Sequence, residues 1–179
     1  KTNLDVSLEL FHQAKDDTSK LNALSPFIQN SFDDNLWPKY NAWAHNFIKE
    51  KLKNKNTKEQ ELKLKEYLAD TYNDFGQVFQ LQGKLLAALN NYTNSLNINK
   101  EISNRKGIAA AHNNIAIIYY NQGYHDKALA SFLKSLSIFN ELNRTGETST
   151  ILNNIGSIYQ RRGDLTEALK FSQQALQIA

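Results

Sequence analysis

The side chains that could carry out a reaction are few in this sequence, and their spacing does not suit one. Four histidines are present: His12, His45, His112 and His125. No two of them have the i, i+4 spacing of a helical metal site, and without cysteine there are no thiolate metal sites, disulfides or cysteine nucleophiles. The motifs of phosphate-binding loops and nucleophile elbows are missing too. We therefore expect no enzyme, no metal site and no cofactor.

The adjacent acid pairs, Asp16–Asp17 and Asp33–Asp34, are the remaining candidates for acid–base chemistry. Neighbouring residues on a helix point in different directions, so we interpret both pairs as helix caps. Two of the histidines belong to the repeat described below. His112 falls at a packing position, and His125 falls in a turn where we expect it to be exposed.

A recurrent set of polar side chains is suited to binding instead. Three triplets have the i, i+3, i+7 spacing that projects side chains from one side of a helix. They are Asp74, Gln77 and Leu81; Asn114, Ile117 and Asn121; and Asn154, Ser157 and Arg161. Because an amide carries both a donor and an acceptor, asparagine can match a peptide group whatever side chain that group bears. The plainer alternative is that these asparagines only solvate or brace their helices.

A period of 40 residues sets the triplets in register. The chain matches itself at this shift, without gaps, at Asn73, Asn113 and Asn153; at Gly83, Gly123 and Gly163; and at Ala88, Ala128 and Ala168. Within a unit, Leu152, Gly156 and Tyr159 share one helix face, and Gly163 follows where a helix end needs a positive φ. Each unit is therefore predicted to be a pair of helices, with the small residues Gly156 and Ala168 at their crossing.

Such hairpins cannot bury their own apolar faces, so they must stack into a solenoid. The run from Asn153 to Leu169, N-N-I-G-S-I-Y-x3-G-x4-A-L, resembles the tetratricopeptide repeat in a long form of about 40 residues. The resemblance implies an all-α, right-handed superhelix of antiparallel helical hairpins, with units at residues 66–105, 106–145 and 146–179. The sequence departs from the family pattern at one position, where the second helix of each unit is expected to carry an aromatic residue.

That position holds Tyr92, then Phe132, then Ser172, and the loss of the ring predicts a looser final hairpin. Proteins of this family hold an extended peptide in a concave groove, often through asparagine. The resemblance therefore implies a peptide-binding surface formed by Asp74, Gln77, Asn114, Asn121, Asn154, Ser157 and Arg161. Arg161 would contact a carboxylate. Asp74 departs from the asparagine pattern and weakens the first row of the groove.

Residues 1–65 do not follow the period, and we expect a divergent helical cap or degenerate repeats. Apolar spacing predicts helices at residues 4–11 and 21–32 and a helix start at residues 35–38, where Pro38 suits a first turn. The stretch 49–66 is dense in lysine and glutamate. We interpret it as a solvated loop and helix face with Glu–Lys pairs, because interleaved glutamates do not suit phosphate binding.

The function expected is that of a protein- or peptide-binding module, and two alternatives stay open. The repeats also resemble the sensory regions of bacterial membrane-bound signalling proteins, such as histidine kinases, which favours a periplasmic or extracytoplasmic place over a cytoplasmic one. The other alternative is a self-associating structural module, with a homodimer as its simplest form. A net charge of +3 and the lack of a long apolar run predict neither nucleic-acid binding nor membrane insertion by this piece.

Overall fold

A computed structural model describes residues 11, 13–15, 19–21 and 37–178 of the chain. Residues 37–178 form seven α-helices and no strand. The helices are α1 (Trp37–Leu52), α2 (Lys58–Leu81), α3 (Leu85–Glu101), α4 (Arg105–Asn121), α5 (His125–Glu141), α6 (Thr145–Arg161) and α7 (Leu165–Ile178). Within these residues, no helix combines the length and the apolar character that crossing a membrane would require.

The helices pack as three consecutive hairpins. The closest neighbours are α2 with α3, α4 with α5, and α6 with α7, while α3 packs on α4 and α5 on α6 to join one hairpin to the next. Buried apolar side chains form one cluster between the first and second hairpins and another between the second and third. The predicted all-α stack of helical hairpins is therefore confirmed.

Turn chemistry sets the limits of the helices. The first helix of each hairpin ends at a glycine with positive φ: Gly83 at 72°, Gly123 at 78° and Gly163 at 81°. The second helices of the first two hairpins end with the same left-handed turn, at Ser103 and Asn143, although neither is a glycine. At the other end of α2, Thr57 Oγ1 accepts from the Gln60 amide at 3.2 Å, and Gln60 Oε1 accepts from the Thr57 amide at 3.0 Å.

The crossing predicted for the third hairpin lies where the sequence placed it. A Cβ added to Gly156 would come within 3.3 Å of the Ala168 carbonyl oxygen and of Ser172 Oγ. The backbones of α6 and α7 thus approach closely at this crossing, while Ala175 is the one buried residue among those described in α7. The missing ring is supplied one residue earlier, because Phe171 stacks on Tyr159 with centroids 5.4 Å apart.

The helix that precedes the hairpins begins as predicted, at Trp37 with Pro38 in its first turn. Ala44 and Ile48 of α1 form a buried cluster with Leu64 of α2 and with Leu21. The helices predicted at residues 4–11 and 21–32 lie almost entirely outside the described residues.

The charge-dense stretch is solvated and internally paired, as the sequence predicted. Its ion pairs join Lys53 to Glu50, Lys63 to Glu66, and Lys65 to Glu61. Lys65 also reaches Glu101 at the far end of the same hairpin, and Arg105 reaches Glu141 at the equivalent positions of the next.

Candidate functional site

The first helices of neighbouring hairpins contact one another directly. Asn114 Nδ2 on α4 donates to Asn73 Oδ1 on α2 at 2.8 Å. The guanidinium carbon of Arg161 on α6 lies 4.8 Å from the centroid of the Tyr120 ring on α4. Each contact joins residues 41 positions apart, so the same register relates both pairs of hairpins. The surface formed by α2, α4 and α6 is therefore continuous, and we call it the inner face.

The predicted binding residues divide into half-buried and exposed sets on this face. The half-buried ones are Asp74, Asn114, Asn154 and Ser157, and the exposed ones are Gln77, Asn121 and Arg161. The half-buried set forms the floor of the surface and the exposed set its ridge. Each hairpin contributes to both sets.

Asn114 is the best-connected residue of the floor. Besides donating to Asn73, it accepts a long hydrogen bond of 3.4 Å from Asn113 Nδ2. Asn113 Oδ1 is buried and finds no hydrogen-bond partner among the described residues. Asn114 still has one amide hydrogen and acceptor capacity to spare, so it can meet a ligand while it braces the contact between hairpins.

Asn154 differs from Asn114, because its side chain makes no hydrogen bond to any other described residue. Its neighbour Ser157 is less free, since Ser157 Oγ donates to the Asn153 carbonyl oxygen at 2.9 Å. Ile117, the middle member of the second triplet, packs against the core cluster. The third hairpin therefore presents its amide more openly than the second.

Asp74 has an unusual environment for a carboxylate. Burial, and then the charge of Asp70 one turn earlier, raise the pKa of Asp74 to about 7, and a hydrogen bond from Asn73 opposes this only in part. Burial, and then the charge of the same carboxylate, raise the pKa of Tyr92. The Tyr92 hydroxyl donates to Gln80 Oε1 at 2.9 Å. Asp74 thus holds its proton to a higher pH than an ordinary carboxyl group, and a nearby cation would favour its charged form.

The two histidines of the repeats, His112 and His125, are both partly buried. His112 is half-buried, as expected for a packing position, and desolvation followed by the charges of Lys134 and Lys100 lowers its pKa. His125 is half-buried beside the Tyr120 ring at 5.9 Å, so the prediction that it is exposed is wrong. Within the described ranges, no three histidine or acidic side chains come together as metal ligands would.

Two residues of the inner face were not predicted from the sequence. Asn73 and Tyr120 supply the acceptor and the ring through which neighbouring first helices meet. Asn73 carries a signal, because it recurs at Asn113 and Asn153. Tyr120 carries no such signal, since the equivalent residues of the other two hairpins are both glutamine.

Comparison with known proteins bears on this architecture. Residues 107–179 match the model of the tetratricopeptide repeat family. Among curated proteins none matches the sequence. The crystal structure of BtubC (BKLC) from P. vanneervenii is similar with a TM-score of 0.78 at 19% identity, over 98% of this chain and 70% of that one.

Two further solved structures share the fold at similar identity. A putative kinesin light chain from Podosopora anserina with nearly identical TPR-like repeats gives a TM-score of 0.59 at 15% identity, over 90% of this chain and 75% of that one. MamA gives 0.55 at 16% identity, over 92% of this chain and 95% of that one. Residues 107–179 thus match the tetratricopeptide repeat model, and the chain shares the fold of these structures.

Proposed function

We propose that this chain is a protein-interaction module that holds an extended segment of a partner protein along its inner face. The observation that carries the proposal is the row of half-buried asparagines on first helices that contact one another, with Asn114 bonded across to Asn73. Asparagine side chains in such a row can pair with successive peptide groups of a bound strand. The exposed ridge residues would then contact its side chains.

The proposal is supported by what the inner face lacks as well as by what it contains. In the described part of the chain, no cluster of metal-ligating side chains is present that would suggest another use for these residues. Tetratricopeptide repeats as a family serve protein interaction, which fits a surface lined by amides. Absence of enzyme activity remains a prediction of the sequence.

A displayed library of random twelve-residue peptides tests the proposal without a known partner. We expect selected peptides to bind the wild-type chain and to lose at least about tenfold in affinity to Asn154→Ala and more to Asn114→Ala with Asn154→Ala, since about 1.4 kcal/mol corresponds to tenfold. Asn154→Ala is the cleaner single variant, because Asn114 also braces α2 against α4.

The matched control changes exposed asparagines of the second helices, Asn97→Ala with Asn140→Ala. It should leave binding unchanged, and melting curves of all variants separate loss of contact from loss of fold. Peptides that bind the double inner-face variant as well as the wild type would show that the groove is not the binding surface.

The two alternative roles drawn from the sequence stay proposals. A sensory role in a bacterial signalling protein predicts that the parent gene continues into a membrane span and a kinase or DNA-binding domain. Self-association predicts that the sedimentation coefficient rises with protein concentration, whereas a monomeric peptide binder gives a constant value.

A further inference from the structure

We propose that the inner face is electrically polarised and fits an extended partner segment with a lysine or arginine at the first hairpin and a carboxylate at the third. This inference rests on the proposed function and names the chemistry of the partner that the same surface would take. The inference depends on which charged groups of the inner face already form ion pairs and which do not.

The first hairpin presents the acidic end. Glu66, Asp70 and Asp74 follow one another at i, i+4 and i+8 along α2, so they share one side of that helix. Glu66 is paired with Lys63 at 3.0 Å. Within the described ranges neither Asp70 nor Asp74 forms an ion pair, although Lys106 of α4 contributes a favourable charge at Asp70.

The second hairpin is neutral at the positions equivalent to Asp70 and Asp74, and it carries Lys106 at the position equivalent to Glu66. The template replaces Asp70 with Ala110 and Asp74 with Asn114, and the third hairpin carries Thr150 and Asn154 there. A cationic side chain of a bound segment therefore finds unpaired carboxylates at one hairpin only. It would also relieve the repulsion between Asp70 and Asp74, which no group among the described residues does fully.

The third hairpin presents the basic end. Arg161 is exposed and lies over the face of the Tyr120 ring. A guanidinium stacked in this way keeps the N–H groups of its edge available for a bidentate contact with a carboxylate. Arg162 beside it is already engaged by Asp126, so Arg161 is the cation available to a ligand at this hairpin among the described residues.

The separation of the two ends sets the spacing in the partner. Packed helices lie about 8–10 Å apart, so the first helices of the first and third hairpins are roughly 16–20 Å apart. Arg161 lies seven residues beyond Asn154, the equivalent of Asp74, which displaces it by a further ~10 Å along the helix axis. Because an extended chain advances about 3.3 Å per residue, the cationic and anionic side chains of the partner should be about six or seven residues apart.

The peptides selected above provide the test. Among those that need Asn114 and Asn154, we expect a lysine or arginine and an aspartate or glutamate to be enriched at that spacing. Asp74→Asn gives the first hairpin the residue that the other two already have, so it removes charge with little change of shape. It should weaken a lysine-bearing peptide about fivefold or more and leave its Lys→Gln version almost unchanged.

Arg161→Gln should act in the same way on the acidic residue of the peptide, and Lys170→Gln on α7 of the same hairpin, whose ammonium is paired with Glu167, is the control. Asparagine-dependent peptides without the charge pattern, or with unchanged affinity for Asp74→Asn, would overturn the polarity while leaving the groove intact. A library that yields no asparagine-dependent peptide overturns the groove and the polarity together.

Discussion

The first and third hairpins follow one template, yet they use the glycine at the helix crossing in different ways. In the first, a Cβ added to Gly76 would lie 2.5 Å from the Tyr92 ring, which is 1% exposed. In the third, the Cβ of Gly156 would meet the Ala168 carbonyl oxygen and Ser172 Oγ at 3.3 Å. One glycine therefore makes room for an aromatic side chain, and the other lets two backbones approach.

The largest effect expected from this difference follows Gly76→Ala. The methyl group overlaps a buried ring that cannot move aside, so we expect a loss of about 2–3 kcal/mol in the free energy of unfolding, measured by urea denaturation. Gly156→Ala should change it by less than about 1 kcal/mol, because the gain of about 1 kcal/mol in helix propensity offsets a milder contact.

A compensating change sharpens the same comparison. The second hairpin has Ala116 and Phe132 at these positions, both buried in one cluster. Gly76→Ala combined with Tyr92→Phe rebuilds that pair and frees the ring from Gln80, so part of the lost stability should return. Equal losses from Gly76→Ala and Gly156→Ala would mean that the two crossings do not differ as described.

The second and third hairpins differ in which of their two helices carries the serine that joins them. We expect a change at this serine to have the next largest effect on stability. Ser135 Oγ of α5 donates to the Ala109 carbonyl oxygen of α4 at 2.7 Å. The third hairpin makes this bond from the opposite helix, because Ser149 Oγ of α6 donates to the Ala175 carbonyl oxygen of α7 at 3.0 Å. The two positions are the same in the template.

We expect Ser135→Ala to cost about 1–2 kcal/mol of unfolding free energy, since the Ala109 carbonyl loses a buried donor. Ala109→Ser together with Ser135→Ala copies the arrangement of the third hairpin and should recover most of that loss in the same denaturation experiment. If the double variant is no more stable than the single one, the two helices do not exchange this role.

The sequence was a better guide to the hairpins than to the contacts between them. The 40-residue period placed the helix ends at Gly83, Gly123 and Gly163, because those turns are local and need a positive φ. It could not fix the rotation of one hairpin on the next, and the Asn73–Asn114 and Tyr120–Arg161 contacts depend on that rotation and on side-chain rotamers.

Two side-chain positions lie beyond what the repeat pattern can predict. The ring missing at residue 172 gives no sign that Phe171, at the adjacent position, stacks on Tyr159. His125 was placed in an exposed turn, although it begins α5 and lies beside Tyr120. A repeat pattern compares each position with its own equivalents, so it misses compensation by a neighbouring residue.

The smallest expected effect compares Asp74 with the asparagines that replace it in the other hairpins. Burial, then Asp70, raise the pKa of Asp74 to about 7 from the value of about 4 that an unfolded chain would have. Between these two pKa values the folded protein binds more protons than the unfolded one, so the contribution of Asp74 to stability falls as the pH rises from 4 to 7.

Asp74→Asn removes this dependence. We expect the variant to exceed the wild type by about 1 kcal/mol at pH 8, a fraction of what the full pKa shift would imply because the carboxylate still reaches water, and to differ little at pH 4. Urea denaturation at both pH values measures this difference in unfolding free energy. Asp126→Asn, which changes an exposed carboxylate, serves as the control. If the variant were more stable than the wild type by the same amount at pH 4, the gain would come from packing of the amide. The charge of Asp74 would then not explain how the first hairpin differs in stability from the other two.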